Sequence, residues 1–248
     1  MIRFRHGTPS LILLIVLGLL LEFAVARRQK SRAANTIEPL PLALSGWTVP
    51  REGAETCNDN NQCTNTLPGP PISSNLEYLA IGRGTITYSC AGRSGTQQPL
   101  YVTQNAFLYD ASPLIPQFSS EEQFHSYVPR FLDYDYTSID NSSLMCIGDL
   151  QRKEGLTIFD IYMVDAFSVK VKEVVNSPDN IQFDLQWAHS RDDDDEEWDI
   201  YRVETAGGGP PYNCGDQIIS DEIPVEYAAE YWFYHKSTAF QEATLRIS

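Results

Sequence analysis

Apolar and polar residues alternate through most of the chain beyond residue 75, and that pattern predicts strands. The clearest case is Ile181 to Trp187, where Ile181, Phe183, Leu185 and Trp187 fall on one face and Gln182, Asp184 and Gln186 on the other. Val169 to Lys172 alternates as well. The turn formers Asn176 to Asn180 separate the two stretches, so the pair predicts a hairpin. Further strands are predicted over Tyr78–Cys90, Tyr101–Tyr109, Thr157–Ala166, Trp198–Thr205 and Val225–Tyr234. In the last of these, Val225, Tyr227, Tyr231 and Phe233 share a face. A helical period is weak everywhere. The exception is a short helix predicted from Ser120, with Glu121 and Glu122 in its first turn. The pattern therefore predicts an all-β fold: a single antiparallel sandwich or barrel of about seven or more strands, over residues 76–240. Residues 27–75 form the lead-in, basic at first and then rich in Pro and Asn. Pro39, Pro41, Pro50, Pro68, Pro70 and Pro71 punctuate it, and it is expected to be irregular.

The start of the chain reads as a targeting segment. Arg3 and Arg5, the apolar run Leu11–Leu21 and the small-residue site Ala24-Val25-Ala26 together suit a secretory signal peptide over residues 1–26. An anchor through residues 11–26 is the rival reading, favoured by the basic cluster Arg27, Arg28, Lys30 and Arg32. The apolar run, however, is shorter than the roughly 20 residues that a bilayer core needs. A secreted or extracellular protein is expected.

Composition changes the picture in two ways. Lys plus Arg number 18 against 33 Asp plus Glu, a net charge of −15, which excludes a nucleic-acid binder that neutralises phosphates with a basic face. Five cysteines in an exported chain point to disulfides with at least one thiol left over. The most local bridge is Cys57 with Cys63, and Cys90 with Cys214 is a second option, although sequence alone does not choose among the pairings. No metal is expected, since the C-x5-C spacing lacks a second ligand pair nearby. Asn141-Ser142-Ser143 is a glycosylation sequon.

Four blocks carry a resemblance: Leu79–Cys90, Ala106–Ala111, Ile200–Gly208 with Pro210, Pro211 and Cys214, and Val225–Tyr234. In order and spacing, over roughly 76–236, they resemble the DUF3455 family. The resemblance implies an exported domain, found in fungi and bacteria, with no agreed catalytic residue. Pro116–Asp149 departs from the family pattern, keeping only His125 and Pro129-Arg130-Phe131, and the acidic run 192–197 looks like an insertion. Some members carry a malate dehydrogenase label, which these residues do not support. After Gly82-Arg83-Gly84 the third glycine position holds Thr87 and the chain continues as a strand, leaving no helix N-terminus for a pyrophosphate. No cofactor is expected.

Candidate chemistry is sparse. Asp110 and His125 are the catalytic candidates, although Asp110 before Ser112-Pro113 also suits a turn cap. The six acids Asp192 to Glu197 read as a solvated loop without the spacing of a calcium loop. Trp198, Trp232 and Tyr234 are the binding candidates, because Trp232 and Tyr234 share a face with Glu226 and Glu230, and an exposed aromatic face stacks on glycans. The favoured function is thus a binding or structural module for an extracellular glycan or cell-wall component. A secreted hydrolase using carboxylates in a cleft is the alternative.

Overall fold

The structure is a computed structural model. It describes Leu42 and residues 46–58, 60–153, 155–162, 164, 166–192, 197–215 and 222–236. The expected signal peptide, the basic cluster and four of the six consecutive acids lie outside them.

A closed antiparallel barrel forms the body. Its strands are β3 (Ser74–Ser89), β4 (Leu100–Asp110), β5 (Cys146–Lys153), β6 (Leu156–Ile161), β7 (Ala166–Val175), β8 (Trp187–Asp192), β9 (Trp198–Gly207) and β10 (Glu222–Lys236). They run in the order β10-β3-β4-β5-β6-β7-β8-β9, with β9 pairing back to β10. The all-β expectation holds, and the barrel is the form taken.

Along β3 and β10 the interior alternates small against large. Ala80 and Gly84 lie opposite Tyr231 and Tyr227, and Gly82, opposite Ala229, leaves room for the Tyr231 ring, so aromatic rings of one strand fill space left by the other. A Cβ at Gly82 would run into the Tyr231 ring, and one at Gly84 into the Asn105 carbonyl and Ala106 of β4. These glycines serve close packing rather than a phosphate turn. Ile86, Leu108, Leu150, Phe159, Val169, Ile200 and Phe233 complete the interior core.

A second core lies on the outer face of the same sheet. Leu79, Ile81, Tyr109, Val175, Trp187, Tyr201, Trp232 and Tyr234 are covered there by Phe124, Val128, Phe131 and Ile139 of the long β4–β5 connection and by Leu42, Val49 and Leu67 of the lead-in. Both faces of β10 are consequently buried from Tyr227 to Tyr234. The connection holds two short helices, α1 (Glu121–His125) and α2 (Tyr136–Asp140), between 3₁₀ turns. The helix expected from Ser120 is α1, with the Ser120 side chain accepting a hydrogen bond from Gln123 N.

Three expectations change. Residues 181–183 form a turn closed by Asn180 O, with Ile181 and Phe183 exposed, and only Trp187 of that stretch belongs to a strand. The lead-in contains a hairpin, β1 (Glu52–Cys57) with β2 (Cys63–Thr66). β5, absent from the periodicity, supplies a full barrel stave. Cys57–Cys63 closes the hairpin, and Cys90–Cys214 joins the end of β3 to the loop before β10. Cys146 is the free thiol.

Candidate functional site

A cavity of about 690 Å³ opens where the lead-in, α1, the β7–β8 loop and β9 meet. Thr48 to Glu52, Glu121, Glu122, His125, Asp179, Trp187 and Glu204 line it. Each element arrives there for a local reason. α1 is anchored by Phe124, which is fully buried and packs its ring 5.2 Å from Trp47 and 5.6 Å from Phe118. Thr48 N donates to Glu121 Oε1 at 2.7 Å and ties the lead-in to the helix. His125, the next residue after Phe124, faces the sheet beside β10.

There His125 Nδ1 lies 2.8 Å from Oε1 of Glu230, a residue with no exposed surface. Trp232 Nε1 donates to Oε2 of the same carboxylate at 2.9 Å. A carboxylate only accepts, so Nδ1 carries the proton in this contact, and Nε2 is the open position of the ring. Among the described residues no hydrogen bond occupies Nε2. Burial lowers the imidazole's proton affinity, but the hydrogen bond and charge of Glu230 outweigh it and the net displacement is upward. Burial also raises the Glu230 carboxyl, against the hydrogen bond from His125.

Glu204 reaches the cleft through a distortion. Between the pairs Ala228↔Ala206 and Glu230↔Val203 the register slips, placing Glu204 and Thr205 opposite Ala229. This bulge puts Glu204 at φ 47°, a left-handed conformation that glutamate seldom adopts. Such strain accumulates where a side chain has to be re-aimed. Burial, then the negative charge of Glu230, pushes the Glu204 carboxyl up to about 7, with His125 partly opposing. The cleft thus brings together an imidazole and a carboxyl whose proton affinities are both raised, the carboxyl's to about 7. Glu52, Glu121, Glu122 and Asp179 make its rim acidic, with Arg51 as counter-charge.

The sequence candidates separate. His125 is in the cleft. Asp110 is not: its Oδ1 accepts from Ser112 N at 2.9 Å and Ser112 Oγ at 2.6 Å, the turn-capping role. Trp232, Tyr234 and Trp198 are buried at 0%, 8% and 8% exposure, which corrects the expectation of a solvent-facing aromatic face. The outer face that holds Trp232 and Tyr234 is roofed by the β4–β5 connection, while Trp198 stacks on Phe167 at 5.1 Å in the interior core. Asn141 is exposed after α2. Glu204 and Glu230 were missed as candidates. Nothing in the local pattern marks a bulge, and the partner of Glu230 is 105 residues away.

His189 forms a separate cluster. Nδ1 lies 2.6 Å from Glu173 Oε2 and Nε2 2.7 Å from Asp199 Oδ1, which also accepts from Arg191 Nε. Burial would raise Asp199, but these donors hold it below the usual carboxylate range. With its ring 4.8 Å from Tyr201 and both nitrogens occupied, His189 reads as structural. Among the described residues no group of three or more His, Cys, Asp or Glu is placed to hold a metal, and no helix is long and apolar enough to cross a membrane.

A family model described as "Protein of unknown function (DUF3455)" matches residues 71–235. That span holds the whole barrel but for the last residue of β10, together with His125, Glu204 and Glu230, and leaves out the lead-in side of the cleft. No curated protein and no solved structure matches the chain.

Proposed function

Because the chain belongs to the DUF3455 family, whose description assigns no activity, we propose a function from the cleft itself: an exported hydrolase that cleaves neutral glycans by general acid–base catalysis. The observation that carries it is the convergence, in one cavity, of His125 held by buried Glu230 and of Glu204 re-aimed by the bulge.

The protonation states suit distinct roles. Glu204, poised at about 7, is half ionised near neutrality and acts as the base that takes a proton from an attacking water. His125, with Nδ1 committed to Glu230, carries the acidic proton on Nε2 and gives it to the departing oxygen. Glu230 positions the ring and stabilises its charged form. Each such proton transfer contributes about 10²–10⁴ in rate. The acidic rim disfavours anions, which argues for an uncharged polyhydroxylated substrate and against a dicarboxylate such as malate. The cavity size suits a short stretch of glycan. Two disulfides support folding in an oxidising compartment, in keeping with export.

The test is release of reducing ends from a panel of neutral wall glycans, with an anionic polysaccharide as control, across pH 5–9. A bell-shaped profile is expected, with rates lowered at least 100-fold, the lower end of that range, by Glu204→Gln and by His125→Asn. Saturable glycan binding without any cleavage would replace the enzyme by a binding module. Cleavage that survives both substitutions refutes the assignment of roles.

A further inference from the structure

Among the described residues, three of the four most exposed large apolar side chains lie on two adjoining loops just outside the cleft. They are Ile181, Phe183 and Tyr212, at 59%, 61% and 72% exposure. Pro178 and Asp179 of the β7–β8 loop line the cleft, and Ile181 and Phe183 follow them in the same loop. Gly209 N donates to Phe183 O at 2.8 Å, which joins this loop to the one after β9. Tyr212 comes three residues beyond Gly209, at most about 11 Å of chain.

The backbone that displays these side chains is fixed. Asn180 O closes the turn by accepting from Phe183 N and Asp184 N, at 3.1 and 2.9 Å. Asp184 forms a bridge with Gly208, and its Oδ1 accepts from Gly207 N at 2.7 Å. A Cβ at Gly209 would run into the Phe183 backbone, so the two loops touch directly. Beyond them Pro210 and Pro211 restrict the chain, and Cys214 is held by its bridge to Cys90 and by donation from its N–H to Gln97 O at 2.9 Å. Single exposed apolar residues call for no partner, but a group of them held out on a fixed scaffold marks a binding surface. The ordering that a mobile loop undergoes on binding is already complete here.

The chemistry of the rim is neutral. Residues 180–183 and 209–213 contain no acidic or basic side chain, in a chain of net charge −15. Asn180, Gln182 and Asn213 are exposed and set amides beside the apolar groups. Flat rings next to neutral amides match the apolar faces and the hydroxyls of sugar rings, whereas an ionic polymer would meet no counter-charge. We propose that Phe183 and Tyr212 form a stacking platform for a neutral glycan chain, gripping units of the polymer that lie outside the cleft. The proposal deepens the reading of the cleft as a glycan hydrolase and rests on it.

The full chain and its Phe183→Ala/Tyr212→Ala double variant should be compared in two assays. In the first, with Glu204→Gln added to both, co-sedimentation with an insoluble neutral wall glycan should show affinity lowered at least about tenfold by the double substitution. In the second, the ratio of KM for the soluble polymer to KM for a short oligosaccharide of the same glycan should rise by a similar factor. If the double variant does not fold, Tyr212→Ala alone should lower affinity about threefold. Equal binding and an equal KM ratio overturn the platform and leave the reading of the cleft standing. Loss of binding in a protein that cleaves no glycan keeps the platform and refutes the hydrolase. A dimer of the wild-type chain that the double variant disperses in analytical ultracentrifugation would give this face to a second copy and overturn the proposal.

Discussion

Glu204→Gln is the most informative single change, because it separates what the cleft does from what it costs the fold. The Glu204 carboxyl is displaced from 4.5 to about 7, chiefly by burial and next by Glu230. At about 1.4 kcal/mol per tenfold change in proton affinity, that displacement corresponds to up to ~3 kcal/mol, less whatever water still screens the group. The sign follows from proton counting. Between the two values the folded chain holds the proton and the unfolded chain has released it, so stability falls as pH rises from 4.5 through 7. Above about 7 the full cost is carried. Glutamine copies the shape of the neutral acid and never ionises. The variant should therefore match the wild type near pH 4 and exceed it at pH 8 by up to ~3 kcal/mol, or at most about 6–12 °C in Tm for a chain of this size. Thermal unfolding of both proteins from pH 4 to 9 reads the difference directly. The same variant should lose the proposed hydrolysis, a trade of activity for stability. Parallel curves at all pH values would refute the account of Glu204 as a strained, half-buried carboxyl.

The two bridges should differ in worth. Closing a separation of 124 residues, Cys90–Cys214 should contribute about 5 kcal/mol, against about 2.4 kcal/mol for Cys57–Cys63 with a separation of 6. Urea unfolding of the paired Cys→Ser variants measures both. Asp199→Asn should cost about 3–5 kcal/mol by breaking the buried contacts with His189 and Arg191. Because the native Asp199 value is lowered, wild-type stability should fall as pH drops through it, and the variant's acid limb should be flatter by calorimetry. Gly84→Ala should leave little folded protein by circular dichroism, since the added methyl meets β4 backbone. Secreted material should lose mass on endoglycosidase treatment, and Asn141→Gln material should not, if the exposed sequon is occupied.

Strand content was legible wherever one face met the core and the other met water or a thin cover. β3, β4 and β9 follow that rule and fall close to their expected ranges. β5 escaped because its inward positions are Gly148, Leu150 and Arg152, of which only one is apolar. Ile181 and Phe183 misled for the opposite reason: they alternate with polar residues but stand exposed on a turn. β10 read correctly as a strand and wrongly as half solvated, because burial of its outer face depends on a connection more than ninety residues earlier in the chain. The same separation hid the site. His125 was visible as a lone histidine, yet its meaning comes from Glu230 and from a bulge that leaves no mark in local composition.

The β4–β5 connection is both the roof over the outer aromatic face and the carrier of His125. These duties cannot fail separately. A molecule whose roof lifts displays Trp232 and Tyr234 as sticky surface in the same event that disarms the cleft, so what chaperones can sense is also what makes the molecule useless. Quality control that detects exposed aromatic surface would thereby act as an indirect proofreader of the cleft's integrity.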